Sequence, residues 1–91
     1  MALPTKSVVT KDLENCIFCK RPADDTHHVF EGRNKQASDK WNIVVPVCRY
    51  CHERIHHDIN VNLALKKKAQ TEFEKQYGHD TFMSVIGKNY L

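Results

Sequence analysis

Two Cys-x-x-Cys pairs, Cys16 with Cys19 and Cys48 with Cys51, constrain this chain more than any other feature. Two thiolates three residues apart can grip one tetrahedral ion if the backbone between them turns sharply, and two such knuckles complete a four-sulfur shell. Size explains why a staple is needed. A chain of 91 residues makes one domain at most, and it removes too small a fraction of its surface from water to be comfortably stable unaided. Hydrophobic residues at 41% with aromatics at only 9% allow a modest core, so a metal cross-link is the economical solution.

The compartment bears on how the cysteines are read. No apolar run approaches the roughly 20 residues of a membrane-spanning helix, so no membrane association is expected. Residues 1–11 contain Lys6 and Lys11 but lack the continuous apolar stretch and small-residue cleavage site of a secretory signal. Cytoplasmic residence is the expectation, and in a reducing cytosol paired cysteines bind metal rather than form disulfides, with zinc the default. Cys48-Arg49-Tyr50-Cys51-His52 also fits the c-type haem attachment pattern, but that reading requires export and leaves the first pair unexplained. A thioredoxin-type redox pair requires a βαβ surround that neither motif has. A mixed cysteine–histidine ligand set remains the alternative to four cysteines.

The pattern predicts an α+β domain. Residues 2–12 read as an extended, loosely held arm with an apolar patch at Val8 and Val9. Residues 15–20 form the first knuckle, and residues 21–25, with Pro22 and two acids, a turn. Thr26-His27-His28-Val29-Phe30 has the β-branched and aromatic content of a strand. Residues 31–40 are polar, include Gly32 and read as a loop. Residues 41–45 form a second strand ended by Pro46, which completes a β-hairpin with a long tip. The second knuckle opens a helix over residues 49–57. There Ile55 and Ile59 stand four apart, and His52 and His56 do the same on a neighbouring face. Asn60 or Asn62 is placed to cap a further helix running to Tyr77, with Leu65, Ala69, Phe73 and Tyr77 as its apolar stripe and Gly78 as its stop. A last helix spans about residues 80–86. The division is an arm over 1–14, a metal-stapled core over 15–59 and a helical extension over 60–91 that packs on the core.

The order knuckle, strand, loop, strand, knuckle, helix resembles the HNH, or ββα-metal, endonuclease family. The residues that carry the likeness are Cys16-Ile17-Phe18-Cys19, His27-His28-Val29-Phe30, Asn42-Ile43-Val44-Val45-Pro46-Val47, Cys48-Arg49-Tyr50-Cys51-His52 and Arg54-Ile55-His56. Together they cover residues 16–58. His28-Val29-Phe30-Glu31-Gly32-Arg33 and the closing Gly87-Lys88-Asn89-Tyr90-Leu91 also look like small HNH proteins encoded by phages of Gram-positive bacteria.

The resemblance implies roles position by position. His28 matches the general base that activates the attacking water, a task that suits an imidazole near pKa ~6.5. Asn42 matches the residue that braces the loop orienting that base. His27 falls where the family usually has an aspartate ligand to the catalytic ion, and His52 and His56 match ligands on the helix. The implied cofactors are a structural zinc on the four cysteines and a catalytic divalent ion, Mg2+, Mn2+ or another transition metal, on the histidines. Imidazole in place of aspartate softens the site and should favour manganese, nickel or zinc over magnesium. In a flat strand, however, His27 and His28 point to opposite faces, so both serve one site only if the strand twists strongly or ends there.

The implied activity is metal-dependent hydrolysis of DNA to 5′-phosphate and 3′-hydroxyl ends, in phage recombination, packaging or genome processing, with a homodimer or a phage protein as a further partner. A formal net charge of +3 permits nucleic-acid binding without demanding it. Arg33, Lys35 and Lys40 in the hairpin loop, with Arg49 and Arg54 at the helix start, are the expected phosphate contacts. Lys66, Lys67 and Lys68 read as a solvated helix face, and His57 and His79 as surface residues. The competing function is a non-catalytic zinc module that binds DNA or a protein. A mimic of this fold that inhibits a host nuclease is a third. On those readings His28 is a half-buried strand residue and His52 and His56 are solvent-facing.

Overall fold

The computed structural model describes residues 3–91, so Met1 and Ala2, where the expected arm begins, lie outside the described residues. The chain is a small α+β fold with a two-stranded antiparallel sheet and four helices: β1 (Asp25–His28), a 3-10 turn (Gly32–Asn34), α1 (Lys35–Lys40), β2 (Val44–Val47), α2 (Arg49–His57), α3 (Ile59–Tyr77) and α4 (His79–Ile86). No helix among the described residues is long and apolar enough to cross a membrane.

Thr26 pairs with Pro46, His27 with Val45 and His28 with Val44. Pro46 therefore lies inside β2 rather than ending it. Val29 N donates to Ile43 O, and since the backbone N–H groups alternate in direction along an antiparallel ladder, the nitrogen of Pro46 falls where it faces outward. The N–H that proline lacks would have pointed away from β1, so nothing is lost. The Pro46 carbonyl instead accepts from Ile17 N of the first knuckle at 3.0 Å. The strand begins later than expected because Asn42 takes a left-handed conformation, φ 57°, which asparagine tolerates better than most residues.

Residues 35–40 form a helix where a loop was expected. The segment has almost no apolar periodicity, and what holds it is the fully buried Ser38. Its hydroxyl donates to Phe30 O at 2.8 Å and accepts from Phe30 N at 3.2 Å, while Ser38 O accepts from Ile43 N at 2.7 Å. Ser38 thus ties the hairpin tip to both sides, through its side chain to Phe30 and through its backbone carbonyl to Ile43.

The arm is also tied down rather than loose. Val8 and Val9 are buried, Val8 N donates to Asn42 O at 3.0 Å, and Gln76 Nε2 donates to Val8 O at 3.1 Å. Val8 and Val9 share one core with Val29, Phe30, Ile43, Val45, Val47, Ile55, Leu65, Phe73, Phe82 and Ile86. Its aromatic centre is a chain of edge-on rings, Phe30 to Phe82 to Phe73 to Trp41, at centroid spacings of 5.6 to 5.7 Å.

Asp58, not Asn60 or Asn62, caps α3, its Oδ1 accepting from Asn60 N at 3.0 Å and Val61 N at 3.4 Å. That cap separates α2 from α3, so Ile59 no longer continues the Ile55 stripe and is 79% exposed. On α3, Leu65, Ala69 and Phe73 are buried as the stripe requires. Tyr77 is exposed at the helix end, its ring packed on Trp41 and Phe73.

Candidate metal centres

The two knuckles meet. Cys16 precedes β1, Cys48 caps α2 by accepting from Cys51 N at 3.4 Å, and the four sulfurs lie within 4.8 Å of one another. Cys19 Sγ is 3.5 Å from Cys48 Sγ, well beyond the roughly 2.0 Å of a disulfide. It is close to the roughly 3.8 Å edge of a tetrahedron with 2.3 Å metal–sulfur bonds. Burial pushes the Cys16 thiol up, but backbone N–H groups of Cys19, Cys48 and Phe18 outweigh it and bring it down to about 7. Burial and the neighbouring cysteines raise Cys51 instead. Several thiolates cannot share so small a volume without a cation, and the donor set fits one metal ion.

A second cluster lies across β1 and α2. His27, at 2% exposure, and His52 and His56, one helical turn apart, bring one ring nitrogen each within 4.8 Å of the others. Their ring centroids are 5.0 to 5.6 Å apart. His27 Nε2 is buried and makes no hydrogen bond among the described residues, an atom that burial alone leaves unsatisfied. Burial, reinforced by His52 and His56, holds His27 down to about 3, so at neutral pH it is the uncharged imidazole that binds metals.

Carboxylates stand behind the rings. Asp25, buried at the start of β1, places Oδ2 3.2 Å from His52 Nδ1, and Glu31 Oε1 lies 3.5 Å from His27 Nδ1 and 3.8 Å from His56 Nε2. A carboxylate on one nitrogen of a ligating histidine fixes the tautomer and makes the other a better donor. Sequence reading missed both residues, leaving Asp25 in a turn and Glu31 in a loop. The available signal was spacing: Asp25 is two before His27 in a strand, and therefore on the same face.

His28 takes the other face of β1, as strand alternation demands. Its Nε2 is 3.6 Å from Asp39 Oδ1, and with Asn42, Thr26, Val44 and the arm residues Leu3 to Lys6 it lines one cavity. It also borders a second cavity shared with His27, Glu31, Lys35 and His52. His28 thus stands between the two cavities, bordering both. Among the described residues Asn42 bonds through its backbone, accepting from Val8 N and donating to Asp39 O.

No family model matches the chain, and neither a curated protein nor a solved structure does. Of the expected phosphate contacts, Lys35 lines the histidine cavity, whereas Arg54 lines a separate apolar cavity with Phe18, Cys51, Asn60, Val61 and Ala64. Two residues along an α-helix turn by about 200°, which carries Arg54 away from His52. Lys40 and Arg49 are exposed and line neither histidine cavity, and the side chain of Arg33 lies outside the described residues. His57 is exposed, and His79 pairs with Glu74 at 2.7 Å.

Proposed function

We propose that the protein is a metal-dependent endonuclease of the HNH, ββα-metal type, hydrolysing phosphodiester bonds in DNA with His28 as general base. The observation that carries this reading is the convergence of His27, His52 and His56 around an unsatisfied buried nitrogen, with His28 at the rim of the same cavity. A module that only binds DNA or protein has no use for that arrangement. In this reading zinc on Cys16, Cys19, Cys48 and Cys51 is structural, and the catalytic divalent ion belongs to the three histidines.

An ion held there supplies Lewis-acid stabilisation of charge on the phosphate and the leaving oxygen. The rest falls to the chain. Asp25 fixes the His52 ring, and Glu31 faces His27 and His56. Lys35 draws a phosphate towards the cavity. His28 takes the proton of the attacking water through one ring nitrogen while Asp39 stabilises the imidazolium that results. Asn42 holds the turn behind His28 through its backbone.

Purified protein incubated with supercoiled, linear and branched DNA under magnesium, manganese, nickel or zinc, beside His28→Ala, tests this. Cleavage that depends on His28 and on added metal is the expected result. Equal inertness of wild type and variant on every substrate, with both folded, would return the protein to the binding-module class.

A further inference from the structure

The C-terminal tail carries a feature that the histidine site does not use. Gln70, fully buried on α3, donates from Nε2 to Asn89 Oδ1 at 2.7 Å, and its Oε1 accepts from Tyr90 N at 2.7 Å. This latch sets the Tyr90 ring against Phe30, at a centroid distance of 5.3 Å, two residues beyond His28. Two ammonium groups then approach the same ring, Lys66 Nζ at 5.4 Å and Lys88 Nζ at 5.2 Å from its centroid. Neither forms an ion pair with a carboxylate among the described residues, whereas Lys75 on the same helix does, with Glu72.

Two cations set against one aromatic ring, with no carboxylate partner among the described residues, leave positive charge that the ring offsets only in part, and an anion neutralises it. The location selects which anion. Lys88 and Tyr90 line a cavity with Asn34, and the next residue, Lys35, lines the histidine cavity, so the two cavities are neighbours. A polyanion with charges repeating a few ångströms apart satisfies both ammonium groups at once.

We propose that Lys66, Lys88 and Tyr90 form a platform for the nucleic-acid backbone beside the histidine cavity, binding phosphates that flank the one at the histidines. The platform deepens the nuclease reading and rests on it for the choice of ligand.

The test uses the full-length, zinc-loaded chain with His28→Ala as parent, so that DNA survives the measurement. Binding of a short labelled duplex is followed by anisotropy across a salt series. Lys66→Gln with Lys88→Gln is expected to flatten the log–log salt slope by about 1.8, the value for two lost phosphate contacts on duplex DNA. Lys67→Gln with Lys68→Gln, an equal change in net charge on the same helix, is expected to leave it within error. Tyr90→Leu keeps both cations and should weaken binding several-fold, while Tyr90→Phe should not. Equal flattening by both lysine pairs, or none by either, overturns the platform. It leaves the nuclease reading intact, because that is judged by His28-dependent cleavage in the wild-type background. Conversely, flattening by the Lys66 and Lys88 pair alone, in a protein whose wild type never cleaves, upholds the platform and removes the nuclease. A parent that binds no duplex at low salt overturns the platform outright.

Discussion

Asp25 Oδ2 lies 3.2 Å from His52 Nδ1, joining the buried start of β1 to the first turn of α2. The contact is made by the ring nitrogen that leaves Nε2 free, so the carboxylate selects the tautomer that a metal ligand needs. Asp25→Asn keeps the shape and removes the charge. It is expected to lower the affinity of the histidine site for nickel or manganese by about 10- to 100-fold, the usual cost of losing such a partner, with the thermal midpoint little changed. Isothermal titration of the zinc-loaded protein measures it.

The two metal sites should separate under mutation. Cys48→Ser removes a sulfur that also caps α2, and binding energy at a structural site is folding energy, so the variant is expected to lose both the thiolate-bound metal and cooperative unfolding. His52→Ala should keep near-native circular dichroism and the first metal while losing the second. A His52→Ala protein as unfolded as Cys48→Ser would mean that His52 belongs to the cysteine shell.

His28 should be separable from the ligands. His28→Ala is expected to reduce cleavage by about 10²- to 10⁴-fold, the range for a lost general base, with metal affinity at His27, His52 and His56 unchanged. A matching fall in affinity would make it a ligand instead.

Acid should destabilise the protein lacking the second metal through His27. The unfolded chain titrates near pH 6.5, and the folded protein holds this imidazole down to about 3. Between those values the unfolded state binds a proton that the folded state does not. The contribution is therefore complete above about pH 6.5 and declines as the pH drops, by up to about 1.4 kcal/mol per pH unit. Denaturant midpoints of wild type and His27→Gln from pH 7 to 4 isolate it, since the carboxylates are common to both. Parallel curves would contradict the assignment.

Ser38→Ala should cost about 1–3 kcal/mol, because it leaves Phe30 N without its acceptor and Phe30 O without its donor inside the core. For a domain of this size each kcal/mol lowers the thermal midpoint by roughly 4–8 °C. A shift under 2 °C would mean that the hairpin tip is held by something other than this hydroxyl.

These residues also show where sequence reasoning reaches its limit. The cysteine pairs, the two histidine spacings and the α3 stripe were legible because each is a local pattern with one cheap geometric solution. Ser38 was not: a lone serine in a polar run signals nothing until Phe30 comes to meet it. Pro46 misled because a breaker rule ignores which way the missing N–H points. Asp58 was passed over because two asparagines nearby are also good caps. Lys66 looked like one of three interchangeable lysines, and only the path of the tail towards Tyr90 distinguishes it. The contacts of Asp25 with His52 and of Glu31 with His56 were hidden by distance, more than twenty residues along the chain, although both acids stand within four residues of His27.

The knuckles fasten the chain just before β1 to the chain just after β2, and so they also set the separation of His27 from His52 and His56. A chain emerging from synthesis has no histidine triad until that clasp closes, because His27 is separated from His52 and His56 by more than twenty residues of flexible polymer. On the proposed reading, metallation is sequential: the sulfur-rich position would fill first, and only then would the nitrogen-rich one exist to be filled. On that reading, a cell short of the first metal would accumulate a protein unable to recruit the second ion however abundant that ion is, which would make the supply of one metal the gatekeeper for the use of another.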